Sequence, residues 1–306
     1  MTIRPYCRKK RCMEKKVMKK DVDSRLFDIF NILILTIFTL IIVIPLWNVV
    51  VSSFASGSVL AKGDFVFWPS ELSLENYRAV FRDGSMLQAF FISVSKTIFG
   101  VLTHVFFCAM MAYAMSKANL KGRKLYSAMG ITTMFFSGGM IPTYLLFRQI
   151  GLLNSFWVYI IPALLSYYDV IILMNFFRNV PDSLEESAMI DGAGHWRIFL
   201  QIFLPLSKPA LATIALFNGV NQWNDFMTAR IFITDKALYP LQMKLYEIIV
   251  QSQTQGMQNI GTAVAESTTK GVQLATIVVT TIPILIIYPL LQKHFIAGMM
   301  VGAVKE

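Results

Sequence analysis

Six apolar runs of membrane-spanning length constrain this sequence more than any other feature. A helix needs about 20 apolar residues to cross roughly 30 Å of hydrocarbon, because it rises about 1.5 Å per residue. Only 15% of the 306 residues are charged, whereas soluble globular proteins average about 25%. The sequence therefore predicts an all-α fold, a polytopic membrane protein with six transmembrane helices. The predicted spans are, approximately, residues 27–51, 88–115, 126–148, 156–177, 206–225 and 272–292.

The positive residues between these runs predict the orientation of the chain. Of the 28 lysines and arginines, 19 fall in the N-terminal tail, in the connections after the second and fourth spans and at the C-terminus, and 8 fall in the other connections. The positive-inside rule therefore places both termini in the cytoplasm. The run from Phe27 to Val51 is too long for the apolar core of a secretory signal, so we expect it to stay in the membrane as the first span.

The other charged and sulfur-containing residues point to no chemistry on this chain. Cys7, Cys12 and Cys108 cannot form a closed set of disulfides, so we expect free thiols. The basic N-terminal tail is interpreted as a topology signal that touches anionic membrane lipid, and we expect no nucleic-acid partner. The histidines lack the spacing of a metal or catalytic site, and we expect no metal and no cofactor on this chain.

The cytoplasmic connection after the fourth span has the clearest local pattern. Pro181 ends the span, and the acidic and hydroxyl residues within 182–186 have the spacing of a capping box, which predicts the start of a short helix. Gly192 or Gly194 predicts its end, since glycine readily adopts the left-handed conformation there. A capped helix projecting from the membrane fits a docking element for a cytoplasmic partner. The alternative is an amphipathic helix resting on headgroups, which its acidic residues disfavour.

This connection resembles the EAA loop of importer-type ABC permeases, whose pattern is E-A-A, three residues, G, nine residues and I-x-L-P. The matching residues are Glu186-Ser187-Ala188, Gly192 and Ile202-Phe203-Leu204-Pro205. The spacing agrees throughout, and Ser187 in place of the middle alanine is the one departure. Other segments are similar to the carbohydrate branch of these permeases, maltose-type and LplC-like. They are Gly138 to Leu145, Gly151 to Asn154, Ile190 to Ala193, Pro205 to Leu211, Trp223 to Phe226, Tyr288 to Phe295 and Val301 to Lys305.

The resemblance implies a type I ABC importer permease fold and a set of partners. The chain would be a transport subunit rather than an enzyme, located in the plasma membrane. Its partners would be a second, homologous permease, two ATPase subunits that carry ATP and Mg, an extracellular solute-binding lipoprotein and an oligosaccharide substrate. Residues 1–26 would form a cytoplasmic tail, 27–296 the permease domain with its coupling loop at 182–205, and 297–306 a cytoplasmic C-terminal tail.

By position, the resemblance also assigns a coupling surface. The residues that would contact the ATPase are Glu186, Ser187, Ala188, Ile190, Asp191 and Gly192. The sequence contains no G-x-x-x-x-G-K-[ST] run, so the chain lacks the usual phosphate-binding loop of an ATPase. The driving energy must then come from a separate polypeptide or from an ion gradient.

Amide and aromatic side chains within the predicted spans are candidates for lining a sugar pathway. Sugars are bound by planar polar groups together with aromatic faces, and polar residues at membrane depth usually face a cavity or another helix. Hydrogen bonding between helices, without ligand contact, explains such residues equally well. The candidates are Asn218, Asn221 and Gln222, which share one helical face with Asp225, together with Tyr168 and Asp169 from the fourth span.

Two further features lie inside predicted spans. Lys96 is near the outer half of the second span, and we expect its side chain to extend to the lipid headgroups. The pair Gly138-Gly139 predicts a kink in the third span.

Two other classes of protein remain open from the residues alone. An ion-gradient-driven secondary transporter would also cross the membrane several times, but the sequence shows neither inverted repeats nor paired intramembrane acids. A membrane scaffold that transports nothing would need no polar residues around a cavity. Neither class requires a capped helix that continues into the glycine and I-x-L-P spacing.

Overall fold

The computed structural model describes residues 22–61, 65–69, 71–82, 84–258, 269–286 and 289. These residues form helices, with a single isolated bridge between Ala55 and Leu72 and no strand among them. Residues 1–21 of the basic tail, with Cys7 and Cys12, lie outside the described residues, as do His294 and the end of the predicted sixth span, whereas residues 22–26 of the tail already belong to the first helix. The helices, in chain order, are α1 (Val22–Ser53), α2 (Gly57–Ala61), α3 (Glu75–Phe81), α4 (Ser85–Ser116), α5 (Arg123–Phe135), α6 (Met140–Gln149), α7 (Tyr167–Arg178), α8 (Asp182–Ile190), α9 (His195–Leu206), α10 (Lys208–Asn224), α11 (Met227–Phe232), α12 (Leu241–Gln258) and α13 (Thr269–Ile286).

Three of the described helices are each long and apolar enough to cross a membrane alone. They are α4, α13 and the Phe27–Ser53 part of α1. In the described part of the chain, three bent pairs bring the number of possible spans to six, which agrees with the predicted number.

The three remaining candidate spans are bent helix pairs, and the kink predicted at Gly138-Gly139 is present in the third of the six spans. The axis turns by 116° between α5 and α6, at the Gly138-Gly139 pair. It turns by 49° between the 3-10 turns of Phe156–Ala163 and α7, and by 80° between α9 and α10. Apolar composition does not change at a bend. Of these three bends, the sequence therefore predicts only the one at the Gly138-Gly139 pair. A broken helix exposes backbone polar groups, which membrane proteins tolerate only against protein or a water-filled cavity.

The core sits around α4, which packs mainly against α7 and α10. Its half nearer α8 is a cluster of small and large apolar side chains contributed by α4, α7, α9 and α10. Small residues on α4 let the helices approach closely, and large ones on the neighbours fill the space between them. Members of the cluster include Cys108, Ala109, Ala112, Val170, Leu173, Phe177, Phe199, Phe203 and Ile214. Cys108 is a free, buried thiol, as expected.

Candidate coupling helix and polar cavity

The predicted cytoplasmic helix is present as α8, but it begins differently from the prediction. Pro181 occupies the N-cap position, and it has no side chain that could cap the helix. The predicted capping box is therefore wrong. Asp182 and Glu185 lie in the first turn instead, where a negative charge interacts favourably with the positive end of the helix dipole.

The C-terminal end of α8 is closed by a glycine cap. Gly192 has φ of +77°, a conformation that costs a residue with a Cβ about 1–2 kcal/mol. The Gly192 N–H donates to the Met189 carbonyl at 3.0 Å, and the Ala193 N–H donates to the Ala188 carbonyl at 2.9 Å. This pair of bonds is the Schellman motif, so the helix stops at a fixed residue. The predicted end at Gly192 or Gly194 is thus confirmed at Gly192.

Five of the six predicted ATPase-contacting residues are exposed, and Ala188 is half-buried. Glu186, Ser187, Asp191 and Gly192 are exposed, and Ile190 is 86% exposed. We call the exposed side of α8, with Glu186, Ser187, Ile190 and Asp191, its outer face. Ala188 holds the helix against the buried cluster around α4.

Glu185, the neighbour of the predicted residues, pairs with Lys117 at the C-terminal end of α4. The Lys117 Nζ also lies 4.4 Å from the ring centre of Tyr113 and 4.2 Å from that of Phe203. An ammonium group over aromatic faces is stabilised by the ring quadrupole. Sequence reasoning missed this contact, because only the fold brings residues 117 and 185 together.

The polar face of α10 lies on a cavity of about 260 Å³ near the C-terminal end of that helix. Asn218, Asn221 and Gln222 all line it, as does Asp225. The buried Oδ1 of Asn218 finds no hydrogen-bond partner among the described residues. A buried amide oxygen without a protein donor needs a partner from solvent or from a ligand. The other lining residues are Val158, Tyr159, Pro162, Ala163 and Thr228.

Lys96 does not extend to the headgroups, and that expectation is wrong. Its side chain is fully buried. Its Nζ donates to the backbone carbonyl of Asp225 at 2.7 Å, lies 3.6 Å from the Asp225 carboxylate and lies 4.8 Å from the Tyr159 ring centre. The carbonyl, carboxylate and ring together replace the water that the ammonium loses on burial.

Tyr168 and Asp169 do not reach this cavity. Tyr168 is 60% exposed on the first turn of α7. Asp169 Oδ2 lies 3.0 Å from one ring nitrogen of His104, and the other ring nitrogen lies 2.7 Å from the Ala163 carbonyl oxygen. His104 thus joins the two sides of the 49° break before α7, so a packing contact accounts for Asp169.

Comparison with known proteins gives matches over nearly the whole chain. The family described as "Binding-protein-dependent transport system inner membrane component" matches residues 16–301. The polygalacturonan/rhamnogalacturonan transport system permease protein YtcP of Bacillus subtilis (strain 168) is 42% identical over 93% of this chain and 100% of its own length. Protein LplC of the same organism is 41% identical over 92% of this chain and 96% of its own length.

Solved structures give a similar result. A chain in the crystal structure of a bacterial ABC transporter involved in the import of the acidic polysaccharide alginate matches with a TM-score of 0.81 and 31% identity. The match covers 90% of this chain and 98% of that one. A second alginate transporter structure, in complex with a pentasaccharide-bound periplasmic protein, matches with a TM-score of 0.53 at 15% identity and supports the fold alone.

Proposed function

Because the chain belongs to the binding-protein-dependent transport inner-membrane components and is a permease subunit of an ABC importer, we propose that it forms half of the pathway for an oligosaccharide. The names of its relatives support this class of substrate, since YtcP belongs to a polygalacturonan and rhamnogalacturonan transport system. The other half would come from a second, homologous permease. An extracellular solute-binding lipoprotein would deliver the sugar to the outer face.

The observation that carries this proposal is the exposed, glycine-capped helix α8. Glu186, Ser187, Ile190, Asp191 and Gly192 would form the surface that docks on an ATPase subunit, and Ala188 would attach that surface to the membrane domain. Two ATPase subunits, which bind ATP and Mg, would supply the energy. Closure of these subunits would tilt the membrane helices and open the pathway outward, and hydrolysis would reset it.

The cavity at the C-terminal end of α10 is the proposed sugar-contacting part of this chain. Amide groups of Asn218 and Asn221 can donate to and accept from hydroxyl groups. The unpartnered Asn218 Oδ1 supports this role. Gln222 has a structural role in the proposed site. Its Nε2 already donates to the Tyr159 carbonyl at 3.1 Å and so holds two lining residues together. Tyr168 and Asp169 are not included in the proposed site.

Purification of the tagged chain from its native membrane in a mild detergent tests the proposal. We expect mass spectrometry to identify an ATPase subunit and a second permease, together with nucleotide hydrolysis. Glu186→Lys should abolish uptake and release the ATPase, because it places a positive charge on the docking surface, while the chain still inserts in the membrane. Glu71→Lys, an exposed acid outside the loop, is the matched control.

Recovery of the chain alone, without hydrolysis, under conditions that preserve a known complex of the same type would contradict the proposal. An ion-gradient-driven transporter or a scaffold would then be favoured. Unchanged uptake by the Glu186→Lys variant would contradict the docking surface only.

A further inference from the structure

Lys117 stands where three structural elements meet. It is the C-cap residue of α4, with its backbone already extended. Its ammonium pairs with Glu185 of α8 and lies over the rings of Tyr113, from α4, and Phe203, from the π-helical turn of α9. The Lys117 side chain is only 25% exposed and that of Glu185 13%. The pair is thus shielded from solvent and salt far better than an ordinary surface ion pair.

The two adjacent acids of α8 point in different directions. Glu185 points inward to Lys117, whereas Glu186 is exposed on the outer face. Ala188 packs against the core, and the Tyr113 hydroxyl lies 3.4 Å from a ring nitrogen of His195, the first residue of α9. The inner side of α8 is therefore held by several contacts, all of which lead to the C-terminal end of α4 and its neighbours.

The helix that Lys117 terminates also reaches the proposed sugar cavity. α4 is unbroken from Ser85 to Ser116, whereas the third, fourth and fifth spans are each broken. Lys96, on the same helix, binds Asp225 at the edge of the cavity. Twenty-one residues separate the two lysines, which corresponds to about 31 Å along a helix axis. A continuous helix, anchored by Lys117 at its C-terminal end and by Lys96 in its N-terminal half, moves as a rigid body more readily than a broken one.

We propose that Lys117 and Glu185 are positioning residues that couple the movement of α8 to α4, and through Lys96 and Asp225 to the wall of the cavity. This inference rests on the proposed function, since it assumes that an ATPase moves α8. Neither residue touches the sugar or the nucleotide. Their role is to keep α8 attached to α4 when the ATPase subunits close. A displacement of α8 on one side of the membrane then moves α4, and with it the cavity wall near the other side.

Removal of the pair should uncouple hydrolysis from transport. In the assembled complex in proteoliposomes, Lys117→Met and Glu185→Gln should each lower the amount of sugar transported per ATP hydrolysed by about tenfold, with the ATPase subunits still bound. The double variant should be no worse than either single variant, because both remove the same interaction. Lys117→Arg should keep most of the coupling, since arginine preserves the charge and its contact with the rings. Lys121→Met, an exposed lysine of the same connection, should behave as wild type.

A cross-link separates a positioning role from a merely structural one. With the native cysteines replaced by serine, Lys117→Cys and Glu185→Cys can be joined by a short flexible bis-thiosulfonate reagent. The proposal requires residues 117 and 185 to stay in contact throughout the transport cycle. The cross-linked complex should therefore transport sugar better than the same double variant before cross-linking. Loss of transport on cross-linking, in a complex that still holds its ATPase subunits, would overturn the proposal.

The outcomes also distinguish this inference from the proposed function. Wild-type coupling in both Lys117→Met and Glu185→Gln, together with loss of uptake in Glu186→Lys, would exclude the positioning role of this ion pair. The proposed docking surface on α8 would still stand. Failure to recover any ATPase subunit with the wild-type chain would exclude both.

Discussion

Lys96 shows how a charged residue can be accommodated inside a span. Its charge is balanced within the chain by the Asp225 carboxylate, and its Nζ also donates to the Asp225 carbonyl. The Asp225 carboxylate has a second task, since its Oδ1 accepts the Thr228 N–H at 3.1 Å at the start of α11. A single residue thus holds a buried ammonium and caps a helix.

Asp225→Asn should destabilise the protein by about 3 kcal/mol, because it leaves a buried ammonium without a counter-charge while the amide oxygen can still cap α11. Adding Lys96→Met should recover at least about 1 kcal/mol, since no unpaired charge remains. Thermal unfolding of the purified protein in detergent measures both effects. Asp235→Asn is the control, because exposed Asp235 also caps a following turn, with its Oδ1 accepting from Ala237. Equal effects of the two asparagine variants would contradict the role of the ion pair.

Gly130 marks a close crossing between α5 and α7. A Cβ at this position would lie 2.2 Å from the ring of Tyr167, which is 7% exposed. Gly130→Ala should therefore displace a buried ring and cost about 1–3 kcal/mol. Gly138→Ala is the matched control in the same span, since its Cβ would meet Pro142 at an ordinary 3.8 Å. The same unfolding assay compares the two, and a Gly130→Ala variant as stable as Gly138→Ala would refute the crossing.

At the level of residues, the sequence predicted contacts that are local and missed those that are distant. The end of α8 at Gly192 and the shared face of Asn218, Asn221 and Gln222 follow from spacing along one helix. The partners of Lys96 and Lys117 lie 129 and 68 residues away. No local pattern distinguishes such a buried lysine from one that extends to the headgroups.

Among the elements, α8 has a C-terminal end that is fixed by its own sequence. The Schellman motif depends on positive φ at Gly192. Gly192→Ala should strain the cap by about 1–2 kcal/mol and lower sugar uptake, because the outer face of α8 would lose its fixed end. Gly192→Asn should be milder, since asparagine tolerates this conformation better. Gly194→Ala should transport normally, since its φ is −75° and its Cβ would meet nothing within 4 Å. Reduced uptake in Gly194→Ala but not in Gly192→Ala would contradict this account.

The broken spans explain where prediction of the elements stops. The number and approximate positions of the spans follow from apolar length, and the break at Gly138-Gly139 follows from its glycines. The 80° turn between α9 and α10 lies at Ser207, between Pro205 and Pro209. The sequence predicts a coupling loop over 182–205, which places most of the helical segment before this turn outside the fifth span. Packing of Phe199 and Phe203 against α4 and α7 holds the helical segment before the turn, and such packing is tertiary.

For the whole molecule, the prediction of an all-α, type I permease fold is confirmed by the family match and by the structural likeness. Fold and class could be predicted because the spans and the EAA spacing are both properties of the sequence. The cavity could be predicted only as one face of α10, because its opposite wall comes from the 3-10 turns at Val158, Tyr159, Pro162 and Ala163.

Labelling of single cysteines from either side of the membrane tests the predicted orientation. In a chain with Cys7, Cys12 and Cys108 replaced by serine, Ser58→Cys should react with an impermeant maleimide added outside intact cells. Lys121→Cys should react only after the membrane is opened. Both positions are exposed, and buried Ala112→Cys should stay unlabelled as the matched control. Reaction of Lys121→Cys in intact cells would reverse the orientation.

The ion pair between α4 and the end of α10 also bears on how the protein is made. Lys96 leaves the ribosome 129 residues before Asp225, so α4 reaches the membrane before the group that neutralises its charge has been synthesised. During that interval, the methylene stem of Lys96 can carry the ammonium toward the headgroups. The ion pair can form only after the fifth span has been synthesised and lies beside α4. Biogenesis thus has an order, in which a late helix completes a contact of an early one.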